Sequence, residues 1–261
     1  MSAADTTGDR LQVRGLTVGY GDRMVQRDLS FSVRQGSIFA IMGGSGCGKS
    51  TVLKSMIGLL RPAAGTVLIN GEDYWTVAEE RRTDISRRFG VVFQSSALWS
   101  SLTVAENVAL PLQMFTRLNS EAIDVLVRLK LSLVGLWRAA ARMPADLSGG
   151  MRKRAGIARA LALDPDILFL DEPSAGLDPI TAKRLDDLIL ELRDGLGVTI
   201  VIVSHELPSL FAICDDGIFL DAESRTAIAH GAPLAMREQS DNATVRAFMT
   251  RERFENQRTE A

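Results

Sequence analysis

Cysteine is scarce in this sequence, and long hydrophobic runs are missing from it. The 261 residues include two cysteines, Cys47 and Cys214, which are too few for a disulfide framework and are typical of a reducing compartment. No apolar run approaches the ~18 residues that a membrane-spanning helix needs, so we expect no membrane-spanning helix. The N-terminal stretch MSAADTTGDR has no apolar core, and we expect residues 1–10 to be disordered and to form no signal peptide.

A strong charge of either sign is also missing. Lys and Arg number 30 against 32 Asp and Glu, which gives a net charge of −2. Because nucleic-acid-binding domains are more often strongly basic, this balance argues against a nucleic acid partner. The hydrophobic content of 46% and the charged content of 24% are ordinary for a globular protein, and the length allows one large domain or two small ones.

What is present is a pattern of buried strands that alternate with helices. Residues 11–35 alternate apolar and polar positions, which favours antiparallel strands with one buried face. The continuous apolar runs at 38–42, 167–170 and 198–203 are typical of fully buried strands. A helix with Asp178 as its N-cap is predicted between the last two runs. This order predicts an α/β fold with a parallel-sheet core and an N-terminal antiparallel β subdomain.

The middle of the chain has a different character, because residues 96–163 show helical periodicity and no strand signals. We interpret this region as a helical subdomain inserted into a domain that spans residues 11–240. Residues 241–261 are predicted to form a short helix, at about 242–254, followed by a polar tail.

A glycine-rich phosphate-binding motif follows the first buried run. It fits the pattern G-x-x-x-x-G-K-[ST] and opens a helix, which is the context that the motif requires. Glycines let backbone N–H groups surround phosphate oxygens, Lys49 can bridge the β- and γ-phosphates, and the Ser50 hydroxyl can ligate Mg²⁺. The predicted nucleotide-binding residues of this loop are Gly43, Gly44, Ser45, Gly46, Cys47, Gly48, Lys49, Ser50 and Thr51.

Two acidic residues end the buried run that begins at Ile167. Asp171 at the strand end can hold a Mg²⁺ ion, and Glu172 is placed to polarise an attacking water. His205 follows the next buried strand, which we expect to neighbour the first, so its imidazole can reach the γ-phosphate. The predicted catalytic residues are therefore Glu172 and His205, together with Lys49.

The segment Leu147-Ser148-Gly149-Gly150-Met151 resembles the signature of the ABC ATPases, with Met151 in place of the usual glutamine. The resemblance covers about residues 11–235 and identifies the fold as a P-loop ABC nucleotide-binding domain. It implies that the N-terminus of the following helix faces the γ-phosphate bound by the opposite subunit. The N-terminus of a helix attracts anions, and here the anion would be held by the other subunit. The implied trans-contact residues are Ser148, Gly149, Gly150 and Asp178.

The same resemblance implies roles for two further residues. Tyr20 matches the aromatic residue that stacks on adenine. Gln94 matches the glutamine that contacts Mg²⁺ or the attacking water and senses the membrane partner, which adds it to the catalytic residues. The implied metal ligands are Ser50, Gln94 and Asp171, and the implied cofactors are ATP and Mg²⁺. Because the chain carries one set of motifs, the active unit is expected to be a homodimer.

Softer features resemble the ATPases of bacterial phospholipid transporters of the Mla (MCE-associated) type. They are the segment 97–111, which is similar to a permease-facing surface, the Met151 variant, and the C-terminal helix around 244–249. Trp99 departs from the phenylalanine expected there. The resemblance implies a multi-span permease, an MCE-domain lipid-binding protein and a small STAS-domain protein as partners. It also implies a peripheral location on the cytoplasmic face of the inner membrane.

The segment 97–111 contains four apolar residues that are candidates for the permease-facing surface: Leu98, Trp99, Leu102 and Val104. Each of them can instead pack inside the helical subdomain. The sequence does not decide between these two positions.

Three alternative functions remain open at this point. One is the ATPase of an amino-acid or other small-solute importer. Another is a soluble ABC protein of translation or DNA repair, although such proteins usually carry two cassettes or a long insertion, and this chain has neither. The third is a GTPase switch, which is disfavoured because no N-K-x-D guanine motif is present.

Overall fold

The computed structural model describes residues 8–251, so the predicted polar tail beyond 251 and most of the predicted disordered N-terminus lie outside the described residues. The strands are β1 (Asp9–Tyr20), β2 (Arg23–Arg34), β3 (Ile38–Gly43), β4 (Ala64–Ile69), β5 (Glu72–Asp73), β6 (Phe89–Val92), β7 (Ile167–Asp171), β8 (Thr199–Val203), β9 (Asp216–Leu220) and β10 (Ala227–His230). The helices are α1 (Lys49–Met56), α2 (Glu79–Ser86), α3 (Val104–Phe115), α4 (Ser120–Leu133), α5 (Gly149–Ala160), α6 (Pro179–Leu196), α7 (Leu207–Ile213), α8 (Pro233–Gln239) and α9 (Ala243–Thr250).

The N-terminal sheet has the strand order β2-β1-β4-β5 and is antiparallel throughout, as the alternation of residues 11–35 predicts. β1 already begins at Asp9, so the prediction that residues 1–10 are disordered is wrong for Asp9 and Arg10. Asp9 pairs with Arg34 in the β1–β2 register, and the Arg10 guanidinium donates to Oδ1 of Asn70 at 2.8 Å. Backbone pairing and this side-chain contact therefore extend the strand beyond its apolar part.

The second sheet has the strand order β10-β9-β3-β8-β7-β6, in which β10 alone pairs antiparallel within the described residues. Every residue of β3 and of β8 is buried, as continuous apolar runs predict. Because β8 lies between β3 and β7, the carboxyl ends of these three strands meet at one edge of the sheet. Asp171 lies opposite Val203 at that edge.

The chain between β6 and β7 is helical, and no strand lies within residues 96–163. α3 begins with a capping box, in which Thr103 and Glu106 each accept a hydrogen bond from the other residue's backbone N–H group. The inner faces of α3, α4 and α5 pack into one core with the sheet, through residues such as Val108 and Val127. Whether these helices act as a separate subdomain stays a prediction. Within residues 8–251, no helix is both long and apolar enough to cross a bilayer.

The C-terminal helix α9 lies against the β9 side of the second sheet. Asn242 caps it, and Val245 and Met249 are buried against Phe219 of β9. The ring of Phe248 contacts the ring of Phe219 edge-on, with 4.9 Å between the centroids. The part of the predicted helix that follows residue 251 lies outside the described residues.

Candidate functional site

The loop between β3 and α1 depends on glycine at two positions. Gly48 has a φ of 103°, and a Cβ there would lie 2.4 Å from Cγ1 of Val25. Gly43 has a φ of 144°, and a Cβ there would lie 2.3 Å from the carbonyl oxygen of Leu220. A Cβ at Gly46 would meet nothing within 4 Å, because that side of the loop faces an open cavity. The loop is therefore packed on one side and free on the other, as a phosphate cradle must be.

The first two residues of α1 place their side chains beside this loop and the sheet edge. Nζ of Lys49 donates to the carbonyl oxygens of Gly43 at 2.9 Å and Gly44 at 3.0 Å. The Ser50 hydroxyl donates to Oδ1 of Asp171 at 3.4 Å. The first turn of α1 also carries backbone N–H groups without helical partners, so the loop and the helix together present donors and a cation to an anion.

Asp171 ends β7 in a half-buried position, and Glu172, the next residue, is buried. Burial, and next the charge of Glu172, raise the pKa of the Asp171 carboxyl, while the Ser50 hydroxyl and the charge of Lys49 act against that rise. Glu172 has a φ of 49°, a left-handed conformation that is costly for a residue with a Cβ. Its backbone N–H donates to the carbonyl oxygen of Val203 at 2.8 Å, which ties the strained residue to β8.

The two residues that follow β8 supply two groups to the Glu172 carboxylate. Nδ1 of His205 lies 2.7 Å from Oε1 of Glu172, and the Ser204 hydroxyl donates to Oε2 at 3.2 Å. The Glu172 residue is 8% exposed, whereas the His205 side chain is 53% exposed. The imidazole therefore lies between a buried carboxylate and the open cavity.

A cavity of about 880 Å³ brings most of the predicted site residues together. Its lining combines residues of the phosphate loop with Tyr20, Arg23 and Phe248 of α9. Tyr20 is 51% exposed, so its ring is open to a planar ligand. The predicted residues that line this cavity are Tyr20, Ser45, Gly46, Cys47, Gly48, Lys49, Ser50, Thr51, Gln94, Glu172 and His205. Asp171 reaches it through Ser50.

The signature segment lies elsewhere. Ser148 and Gly150 line a separate cavity of about 610 Å³, together with residues of α6. The Ser148 hydroxyl accepts a hydrogen bond from the backbone N–H of Met151 at 3.3 Å and so caps α5. A Cβ at Gly150 would lie 2.5 Å from Cγ2 of Thr181, which explains glycine at this position. Within one chain, the N-terminus of α5 and the phosphate loop thus line different cavities.

Asp178 also lies outside the phosphate-loop cavity and caps α6, as the sequence predicts. Its Oδ1 accepts hydrogen bonds from the backbone N–H groups of Ile180 at 3.1 Å and Thr181 at 3.0 Å. A hydrogen bond with the Thr181 side chain, and next the backbone N–H group of Thr181, lower the pKa of the Asp178 carboxyl. The local capping role is therefore present in a single chain, whereas the predicted trans contact needs a second copy.

Two buried residues support the site without belonging to a recognised motif. Nε2 of Gln26 donates to the carbonyl oxygen of Cys47 at 2.6 Å, beneath the phosphate loop. Nζ of Lys153 donates to the carbonyl oxygens of Gln94 at 2.5 Å and Glu172 at 2.9 Å. Sequence reasoning missed both, because Gln26 sits in a strand of mixed polarity and Lys153 lies in a basic run that is typical of an exposed helix face.

The groups beside the phosphate loop fit a hard divalent cation. The Ser50 hydroxyl and the Asp171 carboxylate are oxygen donors that already lie within hydrogen-bond distance of each other. Because burial raises the pKa of Asp171, a nearby positive charge would favour its ionised form. Mg²⁺ is usually bound by one or two carboxylates plus substrate phosphates, which is the set of ligands that Asp171 and the loop offer.

Comparison with known sequences agrees with this geometry. Residues 26–175 match the ABC transporter family. The chain is 40% identical over 239 residues to the intermembrane phospholipid transport system ATP-binding protein MlaF of Escherichia coli (strain K12), a match covering 92% of this chain and 88% of that protein. It is 38% identical over 247 residues to the probable ribonucleotide transport ATP-binding protein mkl of Mycobacterium leprae, covering 95% of this chain and 70% of that protein.

Solved structures with the same fold point to the same family. CbiO1 from Clostridium perfringens, part of the ABC transporter complex cbiONQ, has a TM-score of 0.81 at 28% identity and covers 88% of this chain and 91% of its own. A dimeric bacterial ABC transporter cassette has a TM-score of 0.77 at 30% identity. The match covers 85% of this chain and 98% of the cassette. This chain therefore belongs to the ABC transporter family and is one of its ATP-hydrolysing subunits.

Proposed function

We propose that this chain hydrolyses ATP to drive the movement of phospholipid between membranes of the cell envelope. The observation that carries the ATPase part is one cavity shared by the Lys49 loop, Glu172 and His205. The cargo is supported by the E. coli relative, which is named for intermembrane phospholipid transport.

The residues of the phosphate loop bind the nucleotide in this proposal. The ring of Tyr20 stacks on adenine, and the backbone N–H groups of residues 43–51 surround the phosphates. Nζ of Lys49, which donates to two loop carbonyls in this structure, exchanges them for β- and γ-phosphate oxygens. The exchange is favourable because a hydrogen bond between two charged groups is stronger than one to a neutral carbonyl.

Glu172 is the group that acts on water. Its carboxylate accepts a hydrogen bond, and then the proton, from the water that attacks the γ-phosphorus. The bond to the ADP oxygen breaks in line with that attack, and its electron pair leaves with ADP. His205 holds Oε1 of Glu172 through Nδ1. A contact from His205 to the γ-phosphate requires either a turn of the ring or an imidazolium that carries both protons.

Magnesium completes the proposed site. Ser50, Asp171 and Gln94 are the residues that would hold it, and the bound ion supplies charge neutralisation to the β- and γ-phosphates. Gln94 lines the same cavity as Glu172, on the loop that follows β6. Its amide can therefore contact either the ion or the attacking water.

A second copy of the chain supplies the remaining contact. The helix N-terminus at Ser148, Gly149 and Gly150 lies outside the phosphate-loop cavity of its own chain. We propose a head-to-tail homodimer in which these residues, with Asp178 nearby, close the site of the other copy. The dimeric state of a solved ABC cassette with a TM-score of 0.77 supports this arrangement.

A groove beside α3 is our candidate for the permease contact. A cavity of about 490 Å³ lies between α2, β6, α3 and α5, and its lining combines apolar groups with Arg82, Arg87 and Arg159. A lining that combines apolar and cationic side chains suits an amphipathic segment from another chain. The permease, the MCE-domain protein and the STAS-domain protein remain proposed partners, and the cytoplasmic face of the inner membrane remains the proposed location.

The structure sorts the four apolar residues of the segment 97–111. Trp99 is 59% exposed, whereas Leu98 and Leu102 are half-buried. Of the two positions open to Val104, the structure has the internal one, because Val104 is fully buried where α3 meets the core. Trp99→Ala should therefore keep ATP binding in the isolated chain and lose lipid-dependent stimulation of ATP turnover in the assembled complex. Leu196→Ala, an exposed apolar residue at the end of α6, is the matched control.

A deletion strain tests the cargo. Loss of the gene should raise sensitivity to detergent, because phospholipid then accumulates in the outer leaflet of the outer membrane. Since the M. leprae relative is named for ribonucleotide transport, uptake of ribonucleotides and amino acids is scored in parallel. Normal detergent survival combined with lost solute uptake would overturn the lipid proposal and leave the ATPase assignment in place.

A further inference from the structure

Lys153 is a buried cation on α5 that contacts two other parts of the site, the loop after β6 and the residue after β7. It lies on α5, five residues beyond Ser148, and is 7% exposed. Its Nζ donates to the carbonyl oxygen of Gln94 at 2.5 Å and to that of Glu172 at 2.9 Å. The loop after β6, the end of β7 and the helix that begins at the signature segment therefore meet at one ammonium group.

Such a contact needs compensation, because a buried ammonium group loses its hydration. Burial lowers the pKa of Lys153, while the nearby negative charges of Glu172 and Asp171 oppose that change. The two carbonyl groups take up two of the three N–H donors of the ammonium. Both the neighbouring charges and the hydrogen bonds belong to the site, so the position of Lys153 is tied to the position of Glu172.

The backbone that Lys153 holds is strained. Glu172 has a φ of 49°, and Ser96 and Ala97 have φ values of 61° and 43°. Arg159, also on α5, donates to the carbonyl oxygens of Ser96 at 2.9 Å and Ala97 at 2.7 Å. Residues in unfavourable conformations persist only where their surroundings hold them. α5 supplies that support at Glu172 through Lys153, and at Ser96 and Ala97 through Arg159.

We infer that Lys153 is a positioning residue that sets Glu172 and Gln94 relative to each other and to α5. A shift of α5, whose N-terminus carries Ser148, then moves both groups together. The inference rests on the proposed roles of Glu172 and Gln94 in hydrolysis. It predicts that loss of the Lys153 donors slows the chemical step and leaves the nucleotide-binding loop intact.

Lys153→Met tests this, because methionine is an unbranched side chain only one atom shorter than lysine and removes its donors and charge. In the full chain, alone and co-purified with its membrane partners, kcat should fall by about tenfold to 100-fold, since a displacement of ~1 Å can cost that much. KM and Kd for ATP should stay within about twofold, because uniform binding is untouched. Lys153→Arg, which restores two donors, should recover most of kcat.

Lys130→Met is the matched control. Lys130 is also a buried lysine of the helical region, 2% exposed, but its ammonium pairs with Asp164, which is not one of the predicted site residues. The Lys130→Met substitution should lower the melting temperature without changing kcat at temperatures well below melting. An equal loss of kcat in both methionine variants would overturn the inference, and so would an unchanged kcat in Lys153→Met.

Two further outcomes keep the test decisive. If Lys153→Met does not fold, Lys153→Arg and Lys153→Gln are compared. The glutamine variant, with its shorter side chain, should have a reduced kcat, and the arginine variant should keep most of it. Equal kcat values in these two variants would overturn the inference. Absence of ATP turnover in the wild-type chain, alone and in its complex, would instead count against the proposed function.

Discussion

Nδ1 of His205 lies 2.7 Å from Oε1 of Glu172, and the Ser204 hydroxyl donates to the other oxygen of the same carboxylate at 3.2 Å. Both oxygens of Glu172 are therefore held in place by the two residues that directly follow the neighbouring strand β8. A carboxylate fixed in this way keeps one direction for its remaining lone pairs, which is what a group that polarises a single water needs. The pair links the buried sheet edge to the open cavity.

Glu172→Gln should separate ATP binding from hydrolysis. Glutamine keeps the size of the side chain but cannot accept a proton, and loss of a general base costs about 10²–10⁴ in rate. The affinity for ATP, measured with a fluorescent nucleotide, should stay close to that of the wild type. With ATP and Mg²⁺ the variant should elute as a dimer on gel filtration. Glu238→Gln, an exposed glutamate on α8, is the control and should behave as wild type.

Lys49→Ala should damage both steps. A hydrogen bond to a charged group contributes about 1.5–3 kcal/mol, so ATP binding should weaken by roughly tenfold to 100-fold. Hydrolysis should nearly vanish, because the cation that faces the transferring phosphoryl group is gone. Circular dichroism should show an unchanged fold. Lys183→Ala, an exposed lysine on α6, serves as control, and unchanged turnover in Lys49→Ala would contradict the assignment.

A carboxyl group outside the proposed site should make stability depend on pH. Burial raises the pKa of Asp186 on α6 to about 6, although the Ser209 hydroxyl acts in the opposite direction. Since the folded protein then holds this proton more tightly than the unfolded chain, this group's contribution to stability decreases as pH rises from about 4 to 6.

Asp186→Asn removes that titration. The variant should match the wild type near pH 4 and be more stable above pH 6, by at most about 2–3 kcal/mol for a pKa difference of about two units. Urea unfolding at both pH values measures this difference. A stability difference for Asp186→Asn that is the same at both pH values would contradict the account.

Local features of this protein could be predicted from its sequence because they depend on neighbouring residues. The loop from Gly43 to Ser50 lies between a strand and a helix, and Asp178 caps α6, as expected. The neighbouring positions of β7 and β8, which bring His205 to Glu172, were also predictable from the alternation of buried strands. These features follow from short-range patterns and from one rule about parallel sheets.

Contacts between distant parts of the chain could not be predicted in this way. Nothing in the run Arg152-Lys153-Arg154 tells which of the three cations is buried, because that depends on how α5 packs on β6 and β7. Val104 is apolar like Trp99, yet Val104 is buried and Trp99 is exposed, since one begins α3 and the other precedes it. Likewise, a pattern of residue types does not show the left-handed conformation of Glu172.

Ser148→Arg should leave nucleotide binding intact and abolish turnover. The substitution does not alter the phosphate loop of the chain that carries it, since Ser148 lines a different cavity from Lys49. In the proposed homodimer, the arginine side chain would occupy the space of the γ-phosphate bound by the other copy and prevent closure. Titration with ATP and a steady-state turnover assay measure the two effects. An equal loss of affinity and turnover would contradict a contact made in trans.

A disulfide cross-link tests the paired site most directly. The chain has two cysteines, so Cys47→Ala and Cys214→Ala give a cysteine-free background. Into it we would place Ser45→Cys, Ser148→Cys and the trapping change Glu172→Gln; Ser45 and Ser148 are both exposed and line different cavities. We expect a covalent dimer on a non-reducing gel with ATP and Mg²⁺, none with ADP, and none from either single cysteine. No cross-link with ATP bound at saturation, or the same cross-link without nucleotide, would contradict the head-to-tail ATP site.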